Sequence, residues 1–444
     1  MRSYQVDMCN GPIFKKLIIF SLPLILSGCL QLLFNAADII VVGRFTGNQA
    51  LAAVGSTSAL INLLVNMFIG ISVGANVVLG KSIGARDEEN TSKAVHTAIF
   101  IAVFGGLLMV FVGFFFAKPL LELMATPEDV IDLSSLYMRI YFAGMPFFMV
   151  YNFGAAILRS IGDTKRPLYF LLISGIINVL FNLCFVIVFD MGVAGVALAT
   201  IISQYISAGL CLYLLFTTKG THRIVPSEVK IHKELLGEIL KYGLPSGFQN
   251  SIIGLANVVV QSNINSFGDM AMAGCGAYSK IEGFAFLPIT SFTMALTTFV
   301  GQNLGARQYD RVLKGAKFGM ICSMTLAEII GVIIFVFSPQ FVAAFDATPE
   351  VIHFGTLRGQ TSAFFFCLLA YSHCVSAILR GAGKSMIPMI VMMVCWCFVR
   401  VTGLTIMGAL VHNIWCVYWI YPITWSLSSI TFFIYYHRVD WLHA

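Results

Sequence analysis

Ala156-Ile157-Leu158-Arg159 leads through Gly162 to Pro167, and the same order returns as Ala377-Ile378-Leu379-Arg380, Gly383 and Pro388. The two stretches lie about 221 residues apart, each between long apolar runs. Other matches keep that spacing. Gly80 with Gly84-Ala85-Arg86 reappears as Gly301 with Gly305-Ala306-Arg307. Ala125-Thr126-Pro127-Glu128 reappears as Ala347-Thr348-Pro349-Glu350, and Leu22-Pro23 as Leu244-Pro245. A duplication of this size in an apolar chain is the pattern of a secondary transporter, in which two similar bundles rock about a site held between them.

Charged residues are only 11% of the 444, less than half the usual share of a soluble protein, while hydrophobic residues are 58%. Twelve apolar runs approach the roughly 20 residues that a membrane helix needs. They fall near 13–42, 49–79, 93–117, 133–157, 167–189, 192–217, 236–266, 272–300, 314–337, 352–378, 387–410 and 414–437. The runs are continuous rather than alternating, which excludes a β-barrel. The expected fold is therefore an all-α integral membrane protein, with twelve transmembrane helices in two six-helix bundles. Residues 1–218 form an N-lobe, 219–235 a polar cytoplasmic linker, and 236–444 a C-lobe. An even number of spans per repeat gives both halves one orientation, a parallel repeat. The first run carries Pro23 and Gln31 and is too long for a cleaved signal, so it reads as a retained span.

The net charge of +6 is unevenly placed. With the N-terminus inside, basic residues crowd the tails and inner loops, among them Lys81, Arg86, Lys93, Arg159, Lys165, Arg166, Lys230, Arg307, Arg311 and Arg380. Only Arg44, Lys118, Arg139 and Arg358 fall on the outer side. This is the positive-inside pattern. It sets both termini in the cytoplasm and explains the basic balance without a nucleic-acid partner. The eleven cysteines lie almost wholly within spans, with no CxxC, and read as small buried apolar residues. Gly80-Lys81-Ser82 and Gly383-Lys384-Ser385 lack the earlier glycine of a phosphate loop, since Ala75 and Ile378 stand there. With no nucleotide motif, an ion gradient is the expected energy source. No metalloprotease motif, paired catalytic carboxylates or nucleophile elbow occurs, so an enzyme is not expected.

Ionisable residues inside spans are costly and are functional candidates. They are Asp38, Lys280, Glu282, Glu328 and Arg400. Asp38 shares a helix face with Gln31 and Asn35. The repeat acts as an internal control: Asn35 matches Asn257, but Asp38 matches Val260. Asn178 and Asn182 lie four apart on span 5, and either complete a polar pocket with Asp38 or bond neighbouring helices. Arg400 follows Trp396 by one turn, a cation–aromatic spacing, and its acidic or cavity partner is open. His373 takes the place of Asn152, and reads as a packing histidine. Glu282 is a candidate second acid, and Glu328 reads as either lipid-adjacent or structurally paired. Met and aromatic residues of spans 8 and 10–12 could wall a site for flat hydrophobic solutes.

Taken together, these motifs resemble the multidrug and toxic compound extrusion (MATE) family. The residues that carry the resemblance are Leu-Pro opening spans 1 and 7, Asn35-Ala36-Ala37-Asp38 before Val42-Gly43, the paired Gly-x-x-x-Gly-Ala-Arg loops and the paired Leu-Arg-x-x-Gly stretches. Within the family the pattern is closest to the bacterial DNA-damage-inducible F (DinF)-like branch. The resemblance implies the V-shaped fold of the MOP-flippase superfamily, and antiport of organic, cationic or amphipathic compounds against H⁺ or Na⁺. It implies cation coupling by Asp38, Asn35, Tyr137, Asn152, Asn178, Asn182 and Thr200. Pro23, Gln31, Glu282, Arg400, Trp396 and His373 are candidates for gating or substrate contact. The branch carries a second Asp where this chain has Asn182. A lipid-precursor flippase or metabolite exporter of the same superfamily is the alternative. The remaining expectations are no cofactor beyond the coupling ion, small organic solutes and lipids as partners, a monomer, and the bacterial inner membrane.

Overall fold

The structure, a computed structural model, describes residues 4–124, 126–411 and 413–442, and among these no strand occurs. Contacts divide the chain into two compact units. Met1–Asp7 and Leu22–Gly247 form the first, and Met8–Ser21 and Phe248–Ala444 the second. Each division inside a helix falls within two residues of a repeated Leu-Pro. The linker and the start of the seventh span, 219–247, thus belong to the first unit.

The first unit holds most of α1 (Ile13–Phe45), then α2 (Gly47–Gly84), α3 (Glu88–Leu123), α4 (Glu128–Ala143), α5 (Met145–Ser160), α6 (Lys165–Leu183) and α7 (Gly192–Thr217). α8 (Lys233–Asn265) begins there and ends in the second unit. That unit continues with α9 (Asp269–Gly305), α10 (Tyr309–Ala343), α11 (Pro349–Ala363), α12 (Phe366–Gly381), α13 (Met386–Met392), α14 (Arg400–Leu410) and α15 (Ile414–Arg438). Among the described residues, nine helical segments are long and apolar enough to cross a membrane. Two bent pairs, in α4–α5 and α11–α12, bring the number to eleven, with bends of 47° and 58°. The polar α8, with Lys241, Gln249, Asn250, Asn257 and Asn263, is the twelfth by length. Spans 4 and 10, expected as single helices, are these bent pairs.

The packing suits lipid rather than water. On α3 the large residues Phe104, Leu107, Phe111, Phe114 and Phe115 face outward, while Ala94, Ala98, Gly105, Gly106 and Gly113 face the unit's interior. Small residues inside let helices approach closely where lipid supplies no hydrophobic drive.

The repeated motifs are helix stops. Arg86 and Arg307 adopt left-handed backbone, φ 55° and 56°, and Gly162 and Gly383 do so at 89° and 87°. In each, that residue's N–H and the next one's reach back to carbonyls of the last turn, as Arg86 to Ile83 and Asp87 to Ser82, both 3.0 Å.

The linker is docked, not loose. His96 on α3 uses Nδ1–H to donate to the Ser92 carbonyl at 2.7 Å, leaving Nε2 to accept from Val225 N–H at 2.9 Å. His232 N–H donates to the Thr97 hydroxyl at 3.3 Å, and Ile224 and His222 are buried.

Candidate functional site

In the first unit α1 and α6 meet at Gly175, where a Cβ would overlap the Phe34 ring. The missing side chain lets α1 come close enough for Asp38, one turn beyond Phe34, to reach α6. There the Asn182 amide donates to Asp38 Oδ1, and also to Asn178 Oδ1 at 3.4 Å. The i,i+4 spacing of the two asparagines thus builds the predicted pocket with Asp38. Asn182 is 0% exposed, and its own Oδ1 accepts nothing. A π-helical turn, Cys184–Val188, follows directly, a distortion common beside functional sites. One acid and an oriented, unfilled amide oxygen form a site suited to a small cation or a proton.

Tyr137 stacks on Tyr141 at 6.0 Å, and both rings lie within electrostatic reach of Asp38. Asn152 and Thr200 instead bond the carbonyls of their own helices, Phe148 at 2.8 Å and Val196 at 3.0 Å. Gln31 and Asn35 are exposed on α1. Pro23 is buried within α1 and has no N–H for the Ile19 carbonyl one turn back, while its own carbonyl accepts from the Ser27 hydroxyl at 2.9 Å.

The second unit has a different chemistry. Arg358 on α11, counted from sequence as an outer-side cation, is 5% exposed and faces the unit's interior. Its guanidinium lies 3.7 Å from the Glu282 carboxylate, donates to the Cys275 carbonyl at 3.1 Å and to the Tyr421 hydroxyl at 3.4 Å, and covers the Tyr278 ring. Arg400, 2% exposed, donates to the Thr424 hydroxyl at 2.9 Å and lies over Trp396 and Tyr421 at 5.1 and 4.6 Å. The candidate second acid Glu282 therefore belongs to a cationic cluster rather than standing alone. Trp396 donates to Ser428 at 3.1 Å, and its ring meets His373 edge-on at 5.3 Å. His373 Nε2 has no hydrogen-bond partner. Lys280 is exposed. Glu328 accepts from the Cys367 N–H at 3.1 Å, capping α12 at the bend.

Arg358 and Thr424 escaped the sequence reading as site residues, while Tyr278 and Tyr421 fall among the aromatics of spans 8 and 12 that it offered as walls. One signal could have exposed Arg358: within one residue, the repeat aligns it with Tyr137.

Two duplicated units of long apolar helices, each holding buried polar side chains within those helices, define a membrane transport protein. Residues 23–184 and 245–404 match the MatE family model, one match in each repeat, and the chain belongs to that family. It is 28% identical to the probable multidrug resistance protein YoeA of Bacillus subtilis, covering 96% of this chain and 94% of that one. It is 30% identical to YpnP of the same organism, also a probable multidrug resistance protein, over 86% and 85% of the two chains. In fold it superposes with a TM-score of 0.93, at 22% identity and over the full length of both chains, on the outward-facing conformation of a multidrug resistance MATE family transporter of the MOP superfamily.

Proposed function

We propose that this chain is an ion-driven exporter of organic, cationic or amphipathic compounds, coupled at Asp38 to inward flow of H⁺ or Na⁺. One observation carries the reading: a carboxylate in a membrane helix, hydrogen-bonded to a buried asparagine whose second polar atom is unfilled. Family membership and the names of the relatives support export of foreign compounds. The basic tails and inner loops support a bacterial cytoplasmic membrane with both termini inside. Small solutes and lipid are the only partners the reading needs, and a monomer suffices.

Cation or proton arrival at Asp38 neutralises its charge and weakens the hold of a fixed anion on Asn182. Pro23 gives α1 a joint at which to bend in response. One charge crossing 100 mV supplies about 2.3 kcal/mol, enough for roughly fiftyfold accumulation of solute per charge.

The test is ethidium efflux from pump-deficient bacterial cells, with the Na⁺ and H⁺ gradients collapsed in turn. Asp38→Asn is expected to lower gradient-driven efflux at least a hundredfold, while reaching the membrane in normal amount. Efflux unchanged in that variant would refute coupling at Asp38.

A further inference from the structure

The second unit buries more positive than negative charge. Arg358 and Arg400 carry two cations, and Glu282, within electrostatic reach of both, is the one carboxylate acting on them among the described residues. Glu282 lies against Arg358, so the local excess is one positive charge, centred on Arg400. That guanidinium has one hydrogen-bonded neutral hydroxyl, two aromatic faces, and an Nε–H without a partner. A lone cation at this depth is costly, and is retained where something supplies the missing anion. The aromatic faces offset part of the cost, but they leave the in-plane Nε–H without an acceptor.

We infer that Arg400, with Arg358 and Tyr421, binds the monoanionic head of a solute whose apolar body packs on the aromatic walls of Trp396 and Tyr421. The excess of one charge fits a single negative charge rather than a phosphate dianion. The fork of a guanidinium fits two oxygens of a carboxylate or a phosphodiester. A soluble aromatic acid and an anionic lipid head group share that chemistry, and the exported solute is the source argued here. Glu282 then has a defined part: it competes with the solute for Arg358 and offsets one of the two cations when the site is empty. This inference extends the exporter reading by adding anionic and zwitterionic compounds to its substrates. It does not depend on which ion acts at Asp38.

The experiment is equilibrium binding of radiolabelled benzoate to the purified full-length protein in an uncharged detergent, with no gradient present. Benzoate should bind saturably. Arg400→Gln should weaken binding at least tenfold, and Glu282→Gln should strengthen it about threefold or more by removing the competing carboxylate. Lys280→Gln, an exposed cation, should leave it unchanged. Absent saturable binding, or an equal loss in Lys280→Gln and Arg400→Gln, would overturn the inference. So would weaker binding in Glu282→Gln, which decides the matter alone if Arg400→Gln does not fold. Short-chain phosphatidylglycerol is the second arm. If it binds with the same dependence on Arg400 while benzoate does not, the site belongs to lipid and the solute reading fails. Failed efflux through Asp38 and failed benzoate binding are separate results, since binding is read without transport.

Discussion

The two units share a scaffold and differ in what they bury. In the first, α1 brings an acid against two asparagines, and the cluster is anionic. In the second, the position matched to Asp38 is Val260, 1% exposed and packed in an apolar cluster with Ile264, Cys275, Leu404 and Val417. Polar residues gather elsewhere in that unit, on α9, α11, α14 and α15, and the cluster is cationic. Both clusters adjoin a π-helical turn: Asn182 precedes Cys184–Val188, and Arg400 follows Met393–Val399. Duplication has thus kept the bends, stops and local helix distortions while the side chains at the centre took opposite signs.

The hardest test of this contrast is to copy the acid across. Val260→Asp places a carboxylate in an apolar cluster without a donor, and should lower stability by about 3–5 kcal/mol. Thermal melting in detergent, with the yield of folded protein, measures it. A tolerated aspartate would mean that the second unit retains a polar partner for it, and the contrast would fail.

The linker separates the units in another way, because it docks on the first. Burial and the nearby Arg166 push the His222 imidazole down from its ordinary 6.5 to about 4. The unfolded chain therefore takes up the proton first. Stability is fully present above about pH 6.5 and is lost as pH falls toward 4, on the order of 2–3 kcal/mol across that window. Melting midpoints at pH 7.5, 6 and 5 should drop in turn, and His222→Gln should flatten the slope.

The bends sharpen the comparison further. Cys367 at the second bend has an N–H that Glu328 caps. The first bend has Pro146 at the same helix position, which has no N–H and lies against Gly106. Glu328→Leu should cost about 1–2 kcal/mol by uncapping α12. Adding Cys367→Pro should recover most of that loss in the same melting assay, because the orphaned donor is gone.

The smallest effect belongs to the shared stops. Arg86→Gly and Arg307→Gly each relieve a left-handed side chain and should stabilise by about 0.5–1 kcal/mol, to the same extent in both units. A gain in one unit only would show that the matching loops carry different loads.

Much of this was legible beforehand, and for a physical reason. Membrane helices satisfy their backbones internally, so length and apolarity announce them. Asp38 was legible because desolvating a charge is costly enough to demand a use. The pairing of Asn178 with Asn182 followed from helical spacing, but the alternative of bonding to other helices stayed open. Arg358 was misread because its place near an outer loop suggested surface, and sequence does not say which way a side chain turns on a helix. Asn152 and Thr200 had the right residue types, yet each bonds its own helix, as serine, threonine and asparagine often do in membrane helices.

The sequence by itself determined the duplication, the all-α membrane class, the family and Asp38 as the acid placed within a span of the first half. Those properties are local or periodic and survive being read along a line. Tertiary structure alone decided that Asn182 meets Asp38 across 144 residues, and that Arg358 meets Glu282. It also decided that the linker folds onto α3. Each depends on how far two helices approach and how they are rotated, which small residues such as Gly175 permit and only the packed chain selects.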